Sequence, residues 1–87
     1  MTVRVAVRAV DAGWLAEVTV AGPPLTKHVV RVSRAERERY GGADVGDLVR
    51  RSFAFLLARE PNTSILPEFT LTTVERYFPD FAREFPR

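Results

Sequence analysis

Eighty-seven residues, 46% of them hydrophobic and 28% charged, are enough for one domain and exclude a disordered chain. The formal charge of +2 comes mostly from Arg, 12 of them against one Lys, and is too small to mark nucleic acid as a partner. Without Cys there is no disulfide framework or thiolate metal site, and no apolar run approaches the ~20 residues of a membrane span.

The opening residues lack the long apolar core of a signal peptide, so a cytoplasmic protein is expected. A chain this short buries only about 60–65% of its unfolded surface, so most of its apolar residues are needed for the core. Positions 1–59 carry ten basic and six acidic residues, whereas 60–87 carry three and five, which makes the first part mildly basic.

The opening third reads as an antiparallel β-meander. Val3, Val5 and Val7 alternate with Arg4, Ala6 and Arg8, the period of two of a strand with one covered face. Trp14, Ala16, Val18 and Val20 alternate likewise with Leu15, Glu17 and Thr19, and Val30 and Val32 with Lys27, Val29 and Arg31. Setting Val7 opposite Val18 and Val5 opposite Val20 gathers the valines on one face and places Arg8 opposite Glu17 on the other. That register leaves a loop over 11–14, with Gly13 free to take positive φ. A tighter register is rejected here because it is expected to put Glu17 among the valines. Gly22-Pro23-Pro24 ends the second strand, since proline donates nothing to a ladder.

A short charged helix begins near Ser33, where Ser33 and Glu36 have the capping-box spacing, and Gly41-Gly42 ends it. Asp44 caps a longer amphipathic helix over 44–60. Its stripe is Val45, Leu48, Val49, Phe53, Leu56 and Leu57, and Pro61 stops it. Ser64 is expected to cap a single turn. Thr72 and Glu75 give a second capping box for a helix carrying Leu71, Val74 and Phe78, and Pro79 starts a last turn with Phe81 and Phe85. The expected fold is a single α+β domain over 1–87. A three-stranded antiparallel meander is covered on one face by the long helix and the aromatic C-terminal turns.

The run Ser52-Phe-Ala-Phe-Leu-Leu-Ala-Arg-Glu-Pro-Asn-Thr-Ser-Ile-Leu66, followed by Phe69, Leu71 and Tyr77-Phe-Pro79, resembles a family of small prokaryotic proteins of similar length. The resemblance covers most of the chain, and its specific residues lie in the second half. It implies a stand-alone domain and supplies no catalytic residues.

Few residues suggest chemistry. His28, the one histidine, is a candidate general base, but the plainer reading is a partly buried strand histidine with a hydrogen bond. A single His without Cys does not make a zinc site. Arg59-Glu60-Pro61 with Ser64 is either a small polar site or simple helix termination, with Arg59 at the negative end of the dipole. Tyr77-Phe78-Pro79-Asp80-Phe81 is either a partner-binding cluster or core, and Trp14 is expected in the core. Gly41-Gly42 lacks the lysine and spacing of a phosphate-binding loop.

Arg4, Arg8, Lys27 and Arg31 line the outer sheet face, followed by Arg34, Arg37 and Arg39, with Glu17, Glu36 and Glu38 interleaved. The expected function is a small non-catalytic protein-interaction module, either a homo-dimer or a docking site for a protein partner. Its candidate face is Arg8, Val10, Leu15, Glu17, Val29 and Arg31. The alternative is weak electrostatic binding of nucleic acid. No enzyme activity, cofactor, metal or membrane association is expected.

Overall fold

The structure, a computed structural model, describes residues 2–41 and 44–85. Strand β1 (Thr2–Val10) pairs antiparallel with β2 (Gly13–Ala21), which pairs antiparallel with β3 (Thr26–Ser33). Val5 lies opposite Val18 and Val3 opposite Val20, so the tighter register is the one adopted. This register does not bring Glu17 among the valines, contrary to expectation, because of the parity of the shift. A slip of one residue exchanges the faces of a strand, but a slip of two does not. Glu17 therefore stays off the valine face, opposite Ala6, and Arg8 lies opposite Leu15 instead of Glu17.

The turn shrinks to Asp11-Ala12, and Gly13 is what allows it. Gly13 holds φ at +153°, and a Cβ there would sit 2.2 Å from the Val32 carbonyl oxygen. The neighbouring strand passes too close for any side chain.

The meander is not the whole sheet. A fourth strand, β4 (Glu68–Thr70), runs parallel to β3 with Phe69 beside Val30, giving a mixed sheet ordered β1-β2-β3-β4. Three residues are too few for a period-two signal, which explains its absence from the expected architecture. Val29 N–H donates to the Pro67 carbonyl at 2.8 Å and extends the ladder by one bond.

Helix α1 (Arg34–Tyr40) carries the expected capping box at Ser33 and Glu36, and Gly41 closes it at φ +80°. Gly42, the other expected terminator, lies outside the described residues. Asp44 caps α2 (Val45–Leu57), its carboxylate accepting from Gly46 N–H at 2.9 Å. This helix stops at Leu57, three residues short of the expected end. Pro61 has no N–H for the Leu57 carbonyl, and its ring crowds that group. Arg59 and Glu60 N–H both turn back to Leu56 O at 2.9 Å.

Ser64 does not cap the next turn. It ends a 3₁₀ turn, Asn62–Ser64, that follows Pro61. Helix α3 (Leu71–Tyr77) is capped by Thr70, whose hydroxyl accepts from Thr73 N–H at 3.3 Å, and not through Thr72 and Glu75. Phe78 falls just beyond its end. The last turn is a 3₁₀ segment, Pro79–Glu84, with Pro79 in its first turn as expected.

The core has two layers of contact on α2. Phe53, Leu48, Val49 and Leu56 lie buried with the sheet residues Val18, Val20, Val30 and Val32. Phe55, which falls off the expected stripe, is buried on the opposite flank. There it meets Phe81 at 5.2 Å between ring centroids, and Phe81 meets Tyr40 at 5.2 Å and Phe85 at 5.0 Å. The C-terminal turn thus covers a second side of α2. Coverage runs out at β1: Val5, expected in the core, is only partly buried, and Val7 is 37% exposed. Trp14 is also only half-buried, with the Arg37 guanidinium 5.3 Å above its ring.

Candidate functional site

Two surfaces gather the residues that stood out in sequence. The first is the uncovered face of the sheet. Arg8, Leu15 and Arg31 form one row across β1, β2 and β3, and Glu17 and Val29 form the next. Val10 closes the β1 end at 42% exposure. All six candidate residues therefore share the open face. Arg31 is paired with Glu68 at 2.7 Å, both groups well exposed, so the pair adds little stability. Among the described residues, Arg4, Arg8 and Lys27 on this face make no ion pair.

The second surface lies at the other end of the sheet. The end of α2, the 3₁₀ turn, β4 and α3 border a half-open cavity of about 330 Å³. Leu56, Ile65, Phe69 and Val74 form its apolar floor. Glu60, Ser64, Tyr77 and Phe78, flagged separately in sequence, all line it. Leu66 and Tyr77, at 47% and 68% exposure, form part of its lining.

A buried polar chain fixes the wall of this cavity from behind. Asn62 Nδ2 donates to the Pro24 carbonyl at 2.8 Å and to Thr26 Oγ1 at 3.1 Å. Thr26 Oγ1 lies 2.9 Å from His28 Nε2, and His28 Nδ1 lies 2.8 Å from the Leu66 carbonyl. A carbonyl only accepts, so Nδ1 carries the hydrogen and Nε2 accepts from the threonine hydroxyl. Each donor in the chain then has an acceptor. His28 is 4% exposed and meets the Phe53 ring at 5.4 Å with the two planes tilted by 58°, and both its ring nitrogens are engaged internally. This geometry gives it the role of a wall support and leaves no ring nitrogen to serve as a base. Sequence alone did not reveal Thr26, Asn62 and Leu66, because they meet His28 only through the fold.

Arg59 does not face the cavity. Its guanidinium lies 3.5 Å over the Phe55 ring, donates to the Phe55 carbonyl at 3.0 Å, and reaches Asp80 at 3.3 Å. It therefore closes the helix end, as the plainer reading has it. Tyr40 gains a carboxylate partner from the fold: its hydroxyl donates to Glu75 at 2.6 Å, and Arg39 clasps the same carboxylate at 2.7 Å. Burial, and then the Glu75 bond, pushes the Tyr40 hydroxyl up to about 12. The bonds from Arg39 and then Tyr40 hold the Glu75 carboxyl below its usual range.

Among the described residues no group of three His, Asp or Glu converges as a metal site, and no helix is long and apolar enough to cross a membrane. Compared with known proteins, the chain matches no family model, no curated protein and no solved structure.

Proposed function

We propose that this domain is a non-catalytic protein-interaction module that docks through its strand layer, in the simplest case with a second copy of itself. The observation that carries the reading is the β1 edge. Nine residues of β1 pair on one side only, and Val3, Val5 and Val7 are left partly uncovered along it. A long edge with apolar side chains is a template for another strand.

The β1 sequence favours one two-fold pairing. Centring it on Val5 sets Val3 opposite Val7, Arg4 opposite Ala6 and Arg8 opposite Thr2. Centring it on Ala6 sets Arg4 opposite Arg8, and like charges directly opposed are destabilising. The first register extends the valine stripe across two copies with no arginine facing another. Two-fold pairs are the commonest self-assembly.

Sedimentation over a concentration series tests the reading. A reversible dimer is expected by ~100 μM, and Val7→Lys, which puts a charge on the edge, should return it to monomer without lowering its melting temperature. A strict monomer, or a dimer indifferent to Val7→Lys, would count against it.

The second reading rests on Arg4, Arg8 and Lys27, which leave the open face weakly basic. It predicts nucleic-acid binding that fades steeply with salt.

A further inference from the structure

We propose that the cavity between α2, the 3₁₀ turn, β4 and α3 is a binding site for a small amphipathic organic cation: an aryl or short alkyl body carrying a primary ammonium group. The inference stands apart from the docking role of β1, which forms the opposite edge of the sheet.

Four features select this chemistry. The floor formed by Leu56, Ile65, Phe69 and Val74 is apolar and takes a hydrocarbon body. The space of about 330 Å³ is at the lower end of ligand cavities and suits one ring with a short tail. Among the described residues of the wall, Glu60 is the one that carries charge, and its carboxylate makes no hydrogen bond or ion pair with any described residue. A carboxylate beside an apolar space favours a cation and rejects an anion. Tyr77 and Phe78 also line the space, and aromatic rings attract the same charge through their quadrupole.

The site is also built in advance. His28 holds the Leu66 carbonyl, Val29 N–H holds that of Pro67, and Asn62 ties the 3₁₀ turn to Pro24 and Thr26. The wall that carries Ser64, Ile65 and Leu66 is thereby fixed to the sheet, so a ligand need not order it. Two of the exposed large apolar side chains, Leu66 and Tyr77, sit together in its lining, and clustered apolar exposure of this kind marks binding sites.

Three compounds of one shape isolate the charge: 2-phenylethylamine, 2-phenylethanol and phenylacetate. Each is titrated into isotopically labelled full-length protein while backbone amide signals are followed. The amine should give saturable shifts centred on Glu60, Ile65, Phe69 and Val74. The alcohol should bind the same place about fivefold more weakly, and the carboxylate should not bind there. Glu60→Gln should bring the amine down to the level of the alcohol and leave the alcohol unchanged. Ser64→Phe, a change at an exposed position that fills the lining, should abolish both, which keeps the test valid if Glu60→Gln proves unstable. Equal binding of amine and carboxylate, shifts scattered over the surface, or an amine affinity unmoved by Glu60→Gln would each overturn the assignment. None of these outcomes bears on the oligomeric state.

Discussion

The β1 edge of the sheet runs for nine residues and leaves Val7 37% exposed, whereas the β4 edge runs for three and buries Phe69 to 7%. The difference follows from where the aromatic residues lie in the chain. Every phenylalanine lies at position 53 or later, and the segment that carries them folds over β3, β4 and the far flank of α2. β1 receives only the near side of α2. A chain of this size buries about 60–65% of its unfolded surface, so covering one edge this well leaves the other thin. The well-covered end holds a small preformed cavity, and the thin end holds an unpaired strand.

The contrast is open to breakage, most severely at the well-packed end. Phe53 is fully buried between His28 and Phe69, so Phe53→Ala should cost about 3–5 kcal/mol and leave little folded protein at room temperature. Denaturant unfolding measures it. Val5→Ala, on the thin side, should cost well under half as much. Equal costs would erase the distinction.

The next effect in size is at Glu36. Its carboxylate accepts from Ser33 N–H at 2.9 Å and from Thr72 N–H and hydroxyl, each at 2.7 Å, so one side chain caps α1 and holds the start of α3. Glu36→Ala should cost about 3 kcal/mol, since it strips hydrogen bonds to a buried charge at two helix starts. Thermal melts of Glu36→Ala against Glu38→Ala, an exposed neighbour, separate this from loss of helix propensity.

A smaller, pH-dependent effect belongs to Tyr40. Its hydroxyl titrates near 10 in the unfolded chain and at about 12 when folded, so folding favours the protonated form. The stability it contributes is complete below pH 10 and is lost as pH rises from 10 toward 12. Glu75 works in the other direction. Its lowered carboxyl adds stability above the ordinary carboxylate range, and that stability is lost as pH falls through its folded value. Melting temperatures across alkaline pH should therefore fall more gently in Tyr40→Phe than in the parent, from a starting point about 1 kcal/mol lower.

Much of this was legible in the sequence wherever a local rule applied. The three long strands announced themselves by alternation, α1 by Ser33 and Glu36, and α2 by Asp44 and its stripe. What failed was non-local. The hairpin register depended on Gly13 meeting the Val32 carbonyl, a contact between strands that spacing does not reveal. Strand β4 is too short to carry a pattern and exists because Val29 and Arg31 offered it a ladder. Phe55 looked off-stripe because the C-terminal turn that covers it lies more than twenty residues on.

The candidate face was readable because strand parity survives a two-residue error, so all six residues stayed together. The cavity was readable only as fragments: Glu60, Ser64, Tyr77 and Phe78 each stood out, but nothing in sequence joined them to Leu66 and Phe69.

The smallest expected effect on stability comes from the thin edge, and it provides the most direct test of the docking role. The chain has no cysteine, so a single introduced thiol reports one contact. In a two-fold pairing centred on Val5, the two Val5 positions face each other within the Cα separation a disulfide spans. Val5→Cys should keep the fold and convert to a disulfide-linked dimer under mild oxidation, much faster than Leu25→Cys, a thiol at a 55% exposed position between β2 and β3. Cross-linking of Val5→Cys no faster than Leu25→Cys, in a protein that sediments as a monomer, would contradict self-association through β1.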